Sequence, residues 1–322
     1  MPKLVYILAA SHSGSTLLTM LLNSHPDIAT VGELAPGHME DPDRYLCSCG
    51  RRIKECGFWR AIETGARNAG LPFRIEEFGT QFRMPESRLA ARLLKPLHRG
   101  PALERVRDLA LAMLTGWPKR FKRICGANKS LVERVLRYYD ADVFLDKGNR
   151  AVRLKFLLRT DLDIRVIHLV RDGRAVALTY MDPAVYADAA DPALRGGGTG
   201  GDRSDEKCAM TQAAYEWRRC VQEAEHVLAT LDSSRQIRVR YEDLCTNTDT
   251  ALNGILEFLS LDPSARASDF RAVEHHVVGN GMRLNSTSEI QLDDRWRNVL
   301  SDEQLEIFDR VAGDLSRRCG YE

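Results

Sequence analysis

The chain has 322 residues, enough for one α/β domain with insertions to bury a large core. Its 46 lysines and arginines nearly balance 45 aspartates and glutamates, and the net charge of +1 excludes the strongly basic field of nucleic-acid-binding proteins. No apolar run is long enough to cross a membrane, and the first residues lack the pattern of a signal peptide. We therefore expect a cytoplasmic protein with no nucleic-acid partner.

A phosphate-binding turn is predicted near the N-terminus. Leu4–Ala10 is an apolar run typical of a buried parallel strand, and an apolar helical pattern begins after Thr16. Backbone amides of a small-residue turn and of the first helical turn converge on an anion, with the helix dipole behind them. The residues of this turn are Ser11, His12, Ser13, Gly14, Ser15 and Thr16. Their hydroxyls and the glycine predict a loop that binds phosphate.

The turn differs from the P-loop motif of kinases and ATPases, G-x-x-x-x-G-K-[ST], whose lysine reaches the β- and γ-phosphates. Ala9 stands where that motif has its first glycine, and Ser15 stands where it has the lysine. There is also no obvious magnesium-binding aspartate after an apolar strand. A nucleotide kinase or other phosphotransferase is therefore a less favoured alternative, and a non-catalytic nucleotide-binding module is another.

Four further apolar runs predict strands, each followed by polar residues. The runs are Ile28–Val31, Val143–Leu145, Ile164–Val170 and Ile237–Tyr241. Ligands of open α/β sheets bind at the carboxyl ends of the strands, so Glu33, Lys147 and Arg171 are candidate site residues. Glu33 is either a general base or a helix cap or surface acid, and Lys147 is either a site cation or part of a surface salt bridge. The planar guanidinium of Arg171 can donate two parallel hydrogen bonds to a phosphate.

These segments resemble the sulfotransferases that use 3′-phosphoadenosine 5′-phosphosulfate (PAPS). In that family a strand leads to a basic residue followed by S-G-[ST]-T, which matches Ser13–Thr16, with His12 where many members have Lys or Arg. The family also has an arginine at a strand end and a hydroxyl residue eight positions later, which together hold the 3′-phosphate. Arg171 and Thr179 have that spacing, with Gly173 in place of the usual proline.

The resemblance implies a mainly parallel α/β sheet flanked by helices, and transfer of a sulfuryl group from PAPS to an acceptor hydroxyl. It implies that Glu33 is the base and that Lys147 and His12 stabilise the leaving phosphate. Tyr241 is expected at the adenine and Arg283 at the 3′-phosphate. No metal ion is expected to take part.

Residues 60–140 lie outside the resemblance and have a mostly helical pattern rich in lysine and arginine. We interpret them as a helical insertion, within one domain over residues 1–322, that shapes the acceptor side. The cations are either solvated helix faces or a rim for an acidic acceptor, a glycan or an anionic membrane surface. A glycan or another polar small molecule is the favoured acceptor, and peripheral membrane contact stays open. A glycine run, Gly196–Gly201, predicts a mobile flap or a disordered loop.

Three cysteines lie close together in the sequence: Cys47, Cys49 and Cys56. With His38 they would make four zinc ligands, but their spacing matches no common zinc motif, so free thiols or one local disulfide are preferred. His275 and His276 are adjacent and should face apart, which disfavours a two-histidine metal site. We therefore expect no metal site in the chain.

Overall fold

The computed structural model describes residues 3–36, 39, 41–95, 100–187, 191–197, 206–285 and 287–322. Five strands form one sheet in which every neighbouring pair is parallel. The strands are Lys3–Ala9 (β1), Ile28–Thr30 (β2), Val143–Asp146 (β3), Asp163–Val170 (β4) and Gln236–Arg240 (β5). Their order across the sheet is β2-β3-β1-β4-β5. The predicted α/β class with a parallel sheet is confirmed, and all five predicted strands are present.

Helices connect the strands and cover the sheet. Before β3 lie α1 (Ser15–Leu22), α2 (Gly57–Asn68), α3 (Arg88–Leu93), α4 (Gly100–Met113) and α5 (Trp117–Tyr139). Between β3 and β5 lie α6 (Ala151–Leu157), α7 (Gly173–Met181), α8 (Pro183–Tyr186) and α9 (Met210–Leu228). After β5 lie α10 (Tyr241–Thr246), α11 (Thr248–Leu259), α12 (Trp296–Val299), α13 (Asp302–Phe308) and α14 (Asp314–Arg318), with a π-helical turn, Asp309–Gly313, joining the last two. Short 3₁₀ turns occur at Ile53–Glu55, Pro192–Gly197, Ser233–Arg235, Pro263–Ala265 and Gly281–Leu284.

The central strand β1 is buried on both of its faces. Successive side chains of a strand point to opposite sides of the sheet. Tyr6 and Leu8 join a core with α2 and α5, whereas Ile7 and Ala9 join a second core with α1 and α11. All four are at most 3% exposed. This explains why the strand reads as a continuous apolar run instead of an alternating one.

The carboxyl ends of the five strands meet at one edge of the sheet. The chain first passes from β1 to β2 on one side of the sheet, and later continues from β3 to β4 on the other side of β1. The connections on the two sides therefore diverge next to the end of β1. In parallel sheets this divergence opens a crevice, and here the loop that follows β1 lies in it.

Residues 57–139 carry the helices α2 to α5, and the described part of this segment contains no strand. Some of its cations are already neutralised. Arg107 is 3% exposed and contacts Glu104 and Asp108, and Lys155 of α6 contacts the same two acids. These ion pairs fasten α4 to α6, so they do not contribute to a free basic rim. That the segment shapes the acceptor side stays a prediction.

None of the helices in the described ranges has both the length and the hydrophobicity needed to cross a lipid bilayer. The glycine run predicted as a flap falls mostly outside these ranges, because residues 198–205 are not described. His38, considered above as a zinc ligand, is also outside them.

Candidate functional site

The loop between β1 and α1 has the geometry of an anion site. Gly14 is the N-cap of α1 with φ 83°. No side chain in the described ranges caps this helix end, and the first turn of the helix carries no acid. The first amides of a helix lack intrahelical partners and lie at the positive end of its dipole. Ser13 is 1% exposed, and its Oγ has no hydrogen-bond partner among the described residues. An unpaired buried hydroxyl beside free amides suits a bound phosphate.

Gly14 is required here for two reasons. Its positive φ favours glycine, and a Cβ at this position would lie 2.4 Å from Cδ2 of Tyr241. Tyr241 begins α10 directly after β5 and is 6% exposed. The guanidinium carbon of Arg171 lies 4.4 Å from the centroid of the Tyr241 ring, within cation–π range. The tyrosine is therefore packed between the loop and the arginine.

Arg171 leaves the end of β4 and reaches the loop. Its Nη1 donates to the carbonyl of His12 at 2.8 Å, and its Nη2 lies 2.8 Å from Oδ2 of Asp293. Its Nε has no hydrogen-bond partner within the described part of the chain. Thr179 lines the same cleft from α7, with its hydroxyl donating to the carbonyl of Ala175. Arg171 and Thr179, which have the spacing predicted from the sequence, thus line the same cleft.

Asp293 was not foreseen, because nothing in the sequence relates it to the end of β4. Burial raises its pKa, but hydrogen bonds from Arg295 and Arg171 outweigh burial and hold the pKa of this carboxyl below its ordinary value. Asp293 is therefore ionised near neutral pH. The carboxylate of Asp293 pairs with the Arg171 guanidinium, which is the group predicted to bind a phosphate.

Glu33 and Lys147 form an ion pair beside the loop. Nζ of Lys147 lies 2.9 Å from Oε1 of Glu33 and donates to Oγ1 of Thr16 at 3.0 Å. The lysine side chain is 3% exposed, whereas that of Glu33 is 27% exposed and accessible to a substrate. Lys147 thus brings a cation from β3 to a loop that lacks the lysine of kinases.

The turn that carries Glu33 is held from behind by buried groups. The amide of Leu34 donates to Oδ1 of Asp146 at 2.9 Å, and Oδ2 of Asp146 pairs with Arg153 at 3.2 Å. Burial raises the pKa of Asp146, and the charge of Arg153 opposes that rise. Sequence reasoning gave Asp146 no role, although it precedes Lys147, because its partner on α6 becomes adjacent only in the fold.

These groups line a cleft of about 430 Å³, a size usual for small-molecule sites. The predicted residues on its wall are Ser11, His12, Gly14, Ser15, Thr16, Glu33, Lys147, Arg171, Thr179 and Tyr241. Ser13 belongs to the same loop. Asn149, Asn280 and Gln291 also line the cleft and were not predicted. We call it the strand-end cleft.

His12 lies in the wall of the strand-end cleft with φ 66°. Its ring meets that of Tyr180 edge-on, with centroids 5.3 Å apart. His12 is half-buried. Its predicted role as a second cation beside Lys147 stays a prediction.

Arg283 is buried and bound to backbone carbonyls. It is 1% exposed, and its guanidinium donates to the carbonyls of Val277, Gly279 and Asn280 at 3.0, 2.5 and 3.1 Å. It also stacks on the ring of Tyr45 at 4.8 Å. These backbone partners occupy most of the donors that a 3′-phosphate would need, so they favour a structural role, and the predicted phosphate contact stays a prediction.

Comparison with known proteins agrees with this architecture. The chain matches the model of the Sulfotransferase family over residues 2–264. No curated protein sequence matches it. Among solved structures it resembles a sulfotransferase from Mycobacterium avium, with a TM-score of 0.50 and 12% identity over 100% of this chain and 78% of that one. It also resembles the sulfotransferase domain of the curacin biosynthetic pathway, with a TM-score of 0.46 and 16% identity over 100% and 99% of the two chains. The family match covers most of the chain, which therefore belongs to the sulfotransferase family.

Proposed function

We propose that the protein transfers a sulfuryl group from PAPS to an acceptor hydroxyl. One observation carries the proposal: the loop after β1 and Arg171 at the end of β4 line the same cleft. A nucleotide with phosphate groups at both its 5′ and 3′ positions needs two such anion sites. Membership of the sulfotransferase family supports the reaction class.

The residues present fit this donor. The amides of the first turn of α1 are uncapped, and Oγ of Ser13 and Nε of Arg171 have no partner among the residues described. Buried polar atoms in this state are usually satisfied by a ligand or by water. The ring of Tyr241 forms one wall, with its predicted adenine contact still a proposal.

The donor would supply an activated sulfur, and the protein would supply a base, cations and position. Glu33 takes the proton of the acceptor hydroxyl as the acceptor oxygen bonds to sulfur and the bond from sulfur to the donor's phosphate breaks. Lys147, His12 and the loop amides stabilise the charge that develops on the leaving phosphate. Lys147 also positions the carboxylate of Glu33 through their 2.9 Å contact.

A phosphotransferase fits the site less well. Both carboxylate oxygens of Asp146 contact protein donors, so this buried acid at the end of β3 is poorly placed to hold magnesium. The loop also has Ser15 where kinases have lysine. Turnover of ATP with magnesium would reverse this preference.

We place a polar hydroxyl compound or a glycan at the mouth of the cleft, beside Glu33. An anionic membrane is the proposed peripheral partner, because α4 exposes an apolar stripe flanked by the exposed Arg105. The stripe consists of Leu103, Val106, Leu109 and Met113, each at least 60% exposed. Such a combination suits the interface of an anionic lipid surface. A cytoplasmic location remains part of the same proposal.

Calorimetric titration with adenosine 3′,5′-bisphosphate tests the donor site. Arg171→Ala should weaken binding by roughly 10- to 100-fold, since a hydrogen bond to a charged group contributes about 1.5–3 kcal/mol. Arg174→Ala is the matched control: Arg174 contacts Asp172 at 2.8 Å and stacks on Trp296, away from the cleft wall. Equal affinity of the Arg171 variant and the wild type would refute the proposed donor site.

The reaction itself is tested by incubating the protein with PAPS and a metabolite extract. Mass spectrometry should find compounds that gain one sulfuryl group only when both PAPS and active protein are present. Binding of the bisphosphate without any sulfated product, across glycan, alcohol and phenol acceptors, would favour the binding-module alternative.

A further inference from the structure

Three cysteines and one histidine converge at a point outside the strand-end cleft. The group consists of Cys47, Cys49, Cys56 and His276. Their potential ligand atoms, three sulfurs and Nδ1 of the histidine, all lie within 4.8 Å of one another. The sequence-based preference for free thiols or one local disulfide did not consider His276 as a fourth member, because this residue lies 220 residues beyond Cys56.

The distances within the group match the edges of a zinc tetrahedron. Sγ of Cys49 lies 3.7 Å from Sγ of Cys56, and Nδ1 of His276 lies 3.6 and 3.3 Å from the sulfurs of Cys47 and Cys56. Bonds of about 2.3 Å to sulfur and about 2.0 Å to nitrogen, at tetrahedral angles, give a sulfur–sulfur edge of about 3.8 Å and a sulfur–nitrogen edge of about 3.5 Å. Thiols are weak hydrogen-bond donors, so their own hydrogen bonds are a poor reason to gather three of them.

Backbone structure positions the three cysteines, which lie in the turn that ends at Gly50 and at the start of α2. Gly50 has φ 80° and its amide donates to the carbonyl of Cys47 at 2.9 Å, which makes a tight turn around Cys49. Cys56 is the N-cap of α2, so its sulfur lies at the positive end of a helix dipole. Cys47 and Cys56 are fully buried, whereas Cys49 is partly exposed and gives an ion a path from solvent.

His276 is oriented as metal-bound histidines are. Its Nδ1 faces the sulfurs, and its Nε2 lies 3.4 Å from Oε1 of Glu274. A carboxylate on the far nitrogen fixes the tautomer and leaves the other nitrogen as a ligand. Phe58 stacks on the ring with centroids 4.7 Å apart and planes 3° from parallel.

We propose that these four side chains bind one structural zinc ion. Four protein ligands close the coordination sphere, which is typical of structural and not catalytic zinc. The ion would join the loop before α2 to the segment around His276. That segment continues into Gly279, where a Cβ would lie 2.9 Å from Nζ of Lys147 and 3.1 Å from Oε1 of Glu33. The zinc would thus anchor the strip of backbone against which the Glu33–Lys147 pair packs.

Metal analysis of the wild-type protein is the first test. Protein produced with added zinc, and purified without chelators or a metal-affinity tag, should carry about one zinc ion per chain after gel filtration. Replacement by cobalt should give the visible absorption of tetrahedral cobalt with thiolate ligands. A zinc content near zero, or peptide mapping that finds a Cys49–Cys56 disulfide as the main form, would overturn the proposal.

Variants then assign the ligands. Cys49→Ser and His276→Ala should each lose most of the zinc, whereas Cys125→Ser, a half-buried cysteine of α5, should keep it. Cys49 is the least buried ligand, so its variant is the one expected to fold. Full zinc retention in the Cys49 variant would refute the ligand set. These readouts need no PAPS, so they succeed or fail independently of the proposed sulfotransferase activity.

Discussion

The ion pair of Glu33 and Lys147 brings a carboxylate, the proposed base, and an ammonium group within 2.9 Å of each other beside the loop after β1. The lysine is buried and also donates to Thr16 of the loop, so its position is fixed from two sides. Among the residues that the structure describes, the carboxylate of Glu33 has its ion pair with Lys147, and its side chain is 27% exposed. This asymmetry suits a fixed charge stabiliser next to a base that must meet an incoming hydroxyl.

Glu33→Gln should lower kcat for sulfation by roughly 10²- to 10⁴-fold, the usual contribution of a general base. Affinity for adenosine 3′,5′-bisphosphate should stay close to the wild-type value, because the amide keeps the shape of the side chain and the phosphate loop is intact. Steady-state kinetics and calorimetry measure the two effects separately. Unchanged kcat would remove Glu33 from the chemistry and favour a cap or surface role.

At the scale of elements, the segment after Gly281–Leu284 lies along the cleft and presents Asp293 to Arg171. The carboxylate lies 2.8 Å from Nη2 of the arginine, and the backbone carbonyl of Asp293 accepts from the same nitrogen at 2.7 Å. The segment therefore holds the arginine in place. It also puts a negative charge where the proposed 3′-phosphate would bind.

Asp293→Asn should tighten binding of adenosine 3′,5′-bisphosphate several-fold, because removing this carboxylate ends its competition with the phosphate. The gain should shrink as salt is added, since it is electrostatic. Asp294→Asn is the matched control on the next, exposed residue. Weaker binding in the Asp293 variant, measured by the same titration, would show that the acid mainly positions Arg171.

The exposed stripe of α4 is a second element-scale feature with a testable consequence. Leu109→Glu, at a residue 62% exposed, should reduce sedimentation with vesicles that contain phosphatidylserine, because it places a charge in the lipid-facing stripe. Val299→Glu, at a residue 46% exposed on α12, should have no such effect. Equal sedimentation of wild type and both variants, or none at all, would argue against membrane contact.

At the scale of the whole molecule, stability should depend on pH through His168 of β4. This side chain is 2% exposed, and burial together with the charge of Arg238 lowers its pKa from 6.5 to about 3. The folded protein thus excludes a proton that the unfolded chain binds. Stability from this group is complete above pH 6.5 and is lost as the pH falls from there towards about 3.

His168→Gln should flatten this part of the pH dependence. Each pH unit below 6.5 costs the wild type about 1.4 kcal/mol from this histidine, and the variant should not show that loss. Urea unfolding at several pH values gives the free energy of unfolding for both proteins. Buried acids and His275 titrate in both, so the difference between the two curves isolates His168. Parallel curves would contradict the prediction.

The sequence by itself determined the five strands and the loop chemistry. Apolar runs bounded by small or polar residues read as buried parallel strands, and all parallel strands end at one edge. That rule was enough to predict that Gly14, Glu33, Lys147 and Arg171 lie at the same edge of the sheet, although no contact between them was known. These inferences are local, because each rests on a few consecutive residues.

Only the tertiary structure decided which distant groups meet. The carbonyl partners of Arg283 and the pairing of Asp293 with Arg171 are visible only in the folded chain. The same holds for His276, which completes the cysteine group from the far end of the chain. The hydrophobic pattern and the spacing of residues in the sequence report on local structure only. Contacts between residues that are far apart in the chain depend on how the helices and strands pack, so they are visible only in the folded structure.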